Sequence, residues 1–109
     1  MKTQNKVQLI GYVGNDPVIK TASNGSKLAR IRMATNTFFK NEQGEKITHT
    51  SWHDVIAWKK KAEMAENNFL KGSHILIEGH IIYRTYEDKA GHTRYVTEIE
   101  ADLLMNLDR

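Results

Sequence analysis

The chain has 109 residues, which suits one domain with a real but modest core, so residues 1–109 read as a single unit. Hydrophobic residues make up 39% and charged ones 27%, and the formal charge of +3 permits a polyanionic partner without demanding one. The absence of cysteine excludes disulfides, thiolate metal sites and thiol nucleophiles. With no leader-like apolar region and no apolar run long enough to span a bilayer, the expectation is a cytoplasmic chain with no membrane partner.

Val7, Leu9, Tyr12 and Val13 begin an alternating strand pattern interrupted by Gly11 and Gly14, and glycines set into a strand suggest the bends that small barrels need. Asn15-Asp16-Pro17 reads as a turn, Val18 to Thr21 as a short extended piece, and Ser23-Asn24-Gly25-Ser26 as a hairpin tip, since Asn-Gly tolerates positive φ. Lys27 to Phe39 is a second long strand, with Ala29, Ile31 and Met33 on one face and Arg30 and Arg32 on the other. The polar segment Lys40 to Lys46 is a loop, with Phe38 and Phe39 at its mouth.

The next strand carries the informative stretch, THTSWHDVIAWKKK from Thr48 to Lys61. Alternation puts Thr50, Trp52, Asp54, Ile56 and Trp58 on one face, and Ser51, His53, Val55 and Ala57 on the other. Two indoles beside polar groups, with Lys59 to Lys61 following, suit a surface that stacks planar bases. The same tryptophans also suit a plainer role, covering the mouth of a small barrel, and this stretch alone leaves both readings open.

Ala62, Ala65, Phe69 and Leu70 then follow helical spacing, and Gly72 offers a C-terminal stop. His74 to Tyr86 returns to strand with a bend at Gly79, Glu87 to Gly91 is a hairpin tip, and a last strand runs from about His92 to Leu103. The order strand, strand, strand, helix, strand, strand predicts an all-β fold: a five-stranded Greek-key OB-type barrel with one short helix between strands 3 and 4.

Tests for chemistry return little. His49 and His53 lie roughly 13 Å apart along a strand, too far for one zinc, so no metal set is read from spacing. His53 and its neighbour Asp54 face opposite ways and form no relay. Glu98 and Glu100 share a face and are read as solvated. No nucleophile elbow, phosphate loop or dinucleotide fingerprint is present, so no catalytic residue, cofactor or enzymatic activity is expected. Rings and cations drawn from several strands favour nucleic acid instead.

Five blocks carry a family resemblance: NKVQLIGYVGNDP at Asn5 to Pro17, ATN after Met33, SWHDVIAW at Ser51 to Trp58, FLKGSHILIEG at Phe69 to Gly79, and TRYVTEI at Thr93 to Ile99. Together, in collinear order over nearly the whole chain, they resemble the bacterial single-stranded DNA-binding protein family. That resemblance implies an OB fold, usually a homotetramer (a dimer is the alternative), that wraps single-stranded DNA without sequence preference during replication, recombination and repair. It implies base stacking by Phe39, Trp52, Trp58 and Tyr86, and phosphate contacts by Lys6, Lys40, Lys60, Lys71, Arg84 and Arg94. It also implies a subunit-interface role for His53 and a nucleoid-associated location in the bacterial cytoplasm.

Three positions depart from the family pattern: Asp54 and Ile82 stand where basic residues are frequent, and Tyr86 where some members carry tryptophan. The family's acidic tail has no counterpart before Arg109, so the expectation is a tail-less or trimmed chain without tail-mediated partners. An OB-fold interaction module, like the dimeric primosomal protein that resembles this family, and a metal-dependent nuclease are the rival readings.

Overall fold

The structure, a computed structural model, describes residues 3–108. The elements are β1 (Val7–Val13), β2 (Val18–Thr21), β3 (Lys27–Lys40), β4 (Lys46–Trp58), α1 (Lys60–Asn68), β5 (His74–Glu87) and β6 (Thr93–Asn106). Five strands close into a ring in the order β1-β5-β6-β4-β3, with Tyr12 and Val13 of β1 meeting Ala34 and Met33 of β3 to complete it. This is the expected five-stranded barrel, and α1 lies between its third and fourth strands in chain order. The piece expected to be merely extended, Val18–Thr21, is a strand paired to β3 outside the ring.

Alternation explains the core. Ala29, Ile31 and Met33 of β3 face Ala57, Val55 and His53 of β4 in register, and all of these but His53 are buried. Val13, Ile75, Ile77, Ile99 and Ala101 supply the remaining walls. Ala62, Ala65 and Phe69 of the helical segment join the same cluster, α1 packing against β3, β4 and β6. The helix ends earlier than Gly72: Phe69 is its extended C-cap, and Gly72, at φ 90°, belongs to the following turn. There the Gly72 amide donates to the Val13 carbonyl at 2.7 Å, so its conformation serves the junction with β1.

Two glycines allow strands to cross closely. A Cβ on Gly11 would strike the Ala34 carbonyl, and one on Gly79 would strike the Glu100 carbonyl. At Gly79 the register with β6 slips, Glu78 pairing with Leu103 and Gly79 with Ala101, which leaves Asp102 as the extra residue of a bulge.

The pairs β3–β4 and β5–β6 continue past the barrel as two long ribbons. Their tips share one turn design. Asn41 Oδ1 accepts from the Gln43 and Glu45 amides, and Asp88 Oδ1 from the Ala90 and His92 amides. Each turn then uses a glycine at positive φ, Gly44 at 78° and Gly91 at 83°. By contrast, the parallel junction of β4 with β6 pairs only Val55 with Ile99 and Ile56 with Glu100.

Candidate nucleic-acid interface

Because Val55 and Ala57 point into the core, alternation puts Trp52, Asp54, Ile56 and Trp58 of β4 on the outer face, where Ile56 is nevertheless covered at 6% exposure. Their cross-strand partners on β3 are Ala34, Arg32, Arg30 and Leu28. Trp52 is 51% exposed and Trp58 is half-buried. The Trp52 indole is packed from two sides without being hidden. A Cβ added to Gly14 would sit 2.5 Å from its Cζ3, so the ring rests on that glycine. The Arg32 guanidinium carbon lies 4.8 Å from the ring centroid, a cation–π contact. Trp52 also borders a depression with Val7, Leu9, Ile81 and Ile99, so one face of the ring lies against the barrel while half of the residue stays exposed.

Arg30 and Arg32 stand on the neighbouring strand across from this aromatic face, and the sequence alone does not assign them to the site. Their alternation with Ala29, Ile31 and Met33 was visible, but only the β3–β4 register sets them opposite Ile56 and Asp54. Arg32 stands opposite Asp54, so the acid that departs from the family pattern faces a cation.

Glu98 requires a correction. The alternating pattern predicts a solvated strand residue there, but Glu98 is 2% exposed and accepts from two arginines. Arg30 Nη1 lies 2.7 Å from Oε2, and Arg84 Nε 2.6 Å from Oε1. The Arg84 hydrogen bond, reinforced by Arg30, holds the Glu98 carboxyl below its ordinary range despite the opposing effect of burial. These three side chains join the outward faces of the two ribbons, because Arg30 belongs to β3 and Arg84 to β5, with β4 and β6 between them. On β5, Tyr86 shares the Arg84 face by alternation and is 49% exposed opposite Arg94. Trp52, Trp58 and Tyr86 thus lie on one continuous outward surface.

The tip of the first ribbon divides its rings. Phe38 shares the Trp52 face, with Lys46 Nζ 4.4 Å from its centroid. Phe39 lies on the opposite face across from Ile47 and is 54% exposed. The cations also differ in state. Arg84 is bound to Glu98, and Arg94 donates to Asp88 at 2.8 Å. Lys6, Lys40, Lys60 and Lys71 are exposed and make no ion pair among the described residues. Lys6 precedes β1, Lys40 ends β3, Lys60 opens α1, and Lys71 follows it, its amide donating to Asp16 Oδ1 at 2.8 Å. His53 points away from the tryptophans, its Nε2 2.9 Å from Thr35 Oγ1.

A closed five-stranded barrel with a helix over one end and two protruding ribbons, aromatic and cationic on one outward side, is an OB-type binding fold. The single-strand binding protein family model matches residues 4–107, and the chain belongs to that family. It is 38% identical over 96 residues to Single-stranded DNA-binding protein 1 of Chlorobaculum tepidum, covering 87% of this chain. The chain spans 59% of the length of that curated relative. Among solved structures, the Plasmodium falciparum SSB in complex with single-stranded DNA superposes with a TM-score of 0.87 at 28% identity, over 99% of this chain and 98% of that one. A deletion mutant of the single-stranded DNA-binding protein from Thermus aquaticus gives 0.82 at 25% identity, over 96% of this chain and 51% of that one.

Proposed function

We propose that the chain binds and protects single-stranded DNA without sequence preference, serving replication, recombination and repair as a non-catalytic protein. The observation that carries this reading is the common outward surface of Trp52, Trp58 and Tyr86, joined by the Arg30–Glu98–Arg84 bridge. Bases stack on Trp52, Trp58 and Tyr86, and on Phe39 where the strand rounds the ribbon tip, each contact contributing about 1–3 kcal/mol whatever the base. Lys6, Lys40, Lys60 and Lys71, with Arg32, neutralise phosphates, while Arg84 and Arg94 contribute the N–H groups left free by their acid partners.

The unit acting on DNA is the whole of residues 1–109, in a self-association up to a homotetramer, with His53 at a contact between copies. An apolar outward patch supports association: Ile10 pairs with Leu76 and Leu76 with Met105, and Ile10 and Met105 are 53% and 46% exposed. Beside it Tyr12 stacks on His74 at 4.8 Å. No helix among the described residues is long and apolar enough to cross a membrane, and the proposed location is the bacterial nucleoid.

The test is intrinsic tryptophan fluorescence during titration with oligo-dT at low and high salt. Strong quenching that saturates and weakens with salt is expected. Unquenched tryptophans, with the rings instead covered by another subunit, would turn the reading toward a protein-interaction module.

A further inference from the structure

His80 of β5 stands directly opposite Glu100 of β6, and the bulge at Glu78 and Gly79 brings Asp102 beside both. One ligand atom from each of the three side chains lies within 4.8 Å of the others. The two carboxylates approach different ring nitrogens. Asp102 Oδ2 lies 3.1 Å from Nδ1, and Glu100 Oε2 lies 3.4 Å from Nε2.

This cluster differs from the other ion pairs of the molecule. Glu98 has two arginines, Asp88 has Arg94, and Glu66 has Lys27. Among the described residues the only ion-pair partner of Glu100 and of Asp102 is the His80 imidazole, which the two carboxylates share. Lys60 and Lys61 border the same shallow depression as Asp102 but form no ion pair with it. One imidazole with two carboxylates is a donor set that suits a bound cation.

The geometry defines what kind. Two ligands each about 2.1 Å from a tetrahedral ion stand about 3.4 Å apart, the separation of His80 Nε2 from Glu100 Oε2. A carboxylate on the far nitrogen takes the Nδ1–H and leaves the Nε2 lone pair toward the metal, the usual outer-shell arrangement of a metal-binding histidine. We propose that His80 Nε2 and Glu100 bind one divalent transition ion of the zinc, nickel or cobalt class, with Asp102 orienting the imidazole and water completing the shell. Imidazole with carboxylate favours these ions over magnesium or calcium, which prefer all-oxygen shells. With two protein ligands the site is weak and exchangeable. The ion fastens β5 to β6 at the bulge, where the ladder between them is interrupted.

The experiment is calorimetric titration of the full chain with zinc and with nickel, in a non-chelating buffer and without DNA. One ion per chain is expected. His80→Gln lowers affinity at least tenfold, and Asp102→Asn lowers it by about 10–100-fold, as loss of an orienting partner does. Thermal melting with and without zinc provides the second readout. The wild-type midpoint rises, and that of His80→Gln, checked for folding by circular dichroism, does not. Binding left unchanged by His80→Gln would assign the ion to another histidine and overturn the site. Absence of saturable binding at millimolar ion would do the same.

Discussion

Arg84, with its side chain 41% exposed, donates its Nε–H at 2.6 Å to Oε1 of Glu98, whose side chain is 1% exposed. With Arg30 on the other oxygen, a buried acid is neutralised from the solvent side, so the interface contains a fixed charge pattern and not three independent ions.

The carboxyl of Glu98 is depressed chiefly by the Arg84 hydrogen bond. A depressed acid contributes stability that is present above its unfolded value of about 4.3 and is lost as pH falls through its lower folded value. Urea unfolding between about pH 5 and pH 3 should therefore show a steep loss of midpoint in the wild type and a shallower one in Glu98→Gln. At neutral pH the variant should lose about 1.5–3 kcal/mol, the scale of hydrogen bonds to a charged group. An identical pH slope in the two proteins would show that Glu98 is not the titrating group.

Trp52→Ala and Trp58→Ala should each weaken oligo-dT binding by about 1–3 kcal/mol, with Trp52→Ala leaving the melting midpoint nearly unchanged because its ring is 51% exposed. Arg32→Ala tests the charge component separately. If Arg32 neutralises one phosphate, the slope of log affinity against log salt should fall by about 0.7. Normal binding by both tryptophan variants would assign the stacking face to other residues.

Gly14→Ala should move the Trp52 ring without removing it, since the new Cβ would lie 2.5 Å from Cζ3. The expected result is a changed tryptophan emission maximum and weaker DNA binding, with the protein still folded. An unchanged spectrum would show that the ring adjusts within its present seat.

Phe39 faces away from Trp52. Its contribution should consequently depend on DNA length: Phe39→Ala binds short oligonucleotides normally and loses about 1–3 kcal/mol only on strands long enough to round the tip. Equal losses at every length would place Phe39 on the main path.

Much of the barrel was legible in the chain because its strands alternate cleanly. Ala29, Ile31 and Met33 against Val55 and Ala57 are core residues by period alone, and Gly79 announced the bend that the register shift realises. The exposed aromatic strand was legible for the same reason. What escaped is what only tertiary pairing creates. Period two makes Glu98 a twin of Glu100, yet Arg30 and Arg84 bury one, and the other faces His80. His80, Glu100 and Asp102 belong to two strands, so no spacing rule finds them. Residue type does not separate Phe38 from Phe39 and the resemblance singles out Phe39, yet the ladder puts Phe38, not Phe39, on the Trp52 side. The helix end was misplaced because Gly72 marks a turn bonded to Val13, a contact invisible in local sequence.

The short parallel seam between β4 and β6 has a mechanical consequence. Each ribbon is a self-contained hairpin, whereas the seam joins residues more than forty positions apart through two paired positions. The two hairpins are thus joined on one side through β1, which pairs with both β5 and β3, and on the other by this small weld, which the Arg30–Glu98 contact crosses like a rivet. A long ligand lying over both hairpins spans that weld, and amide exchange at Val55 and Ile99 is where a change at the seam would be read.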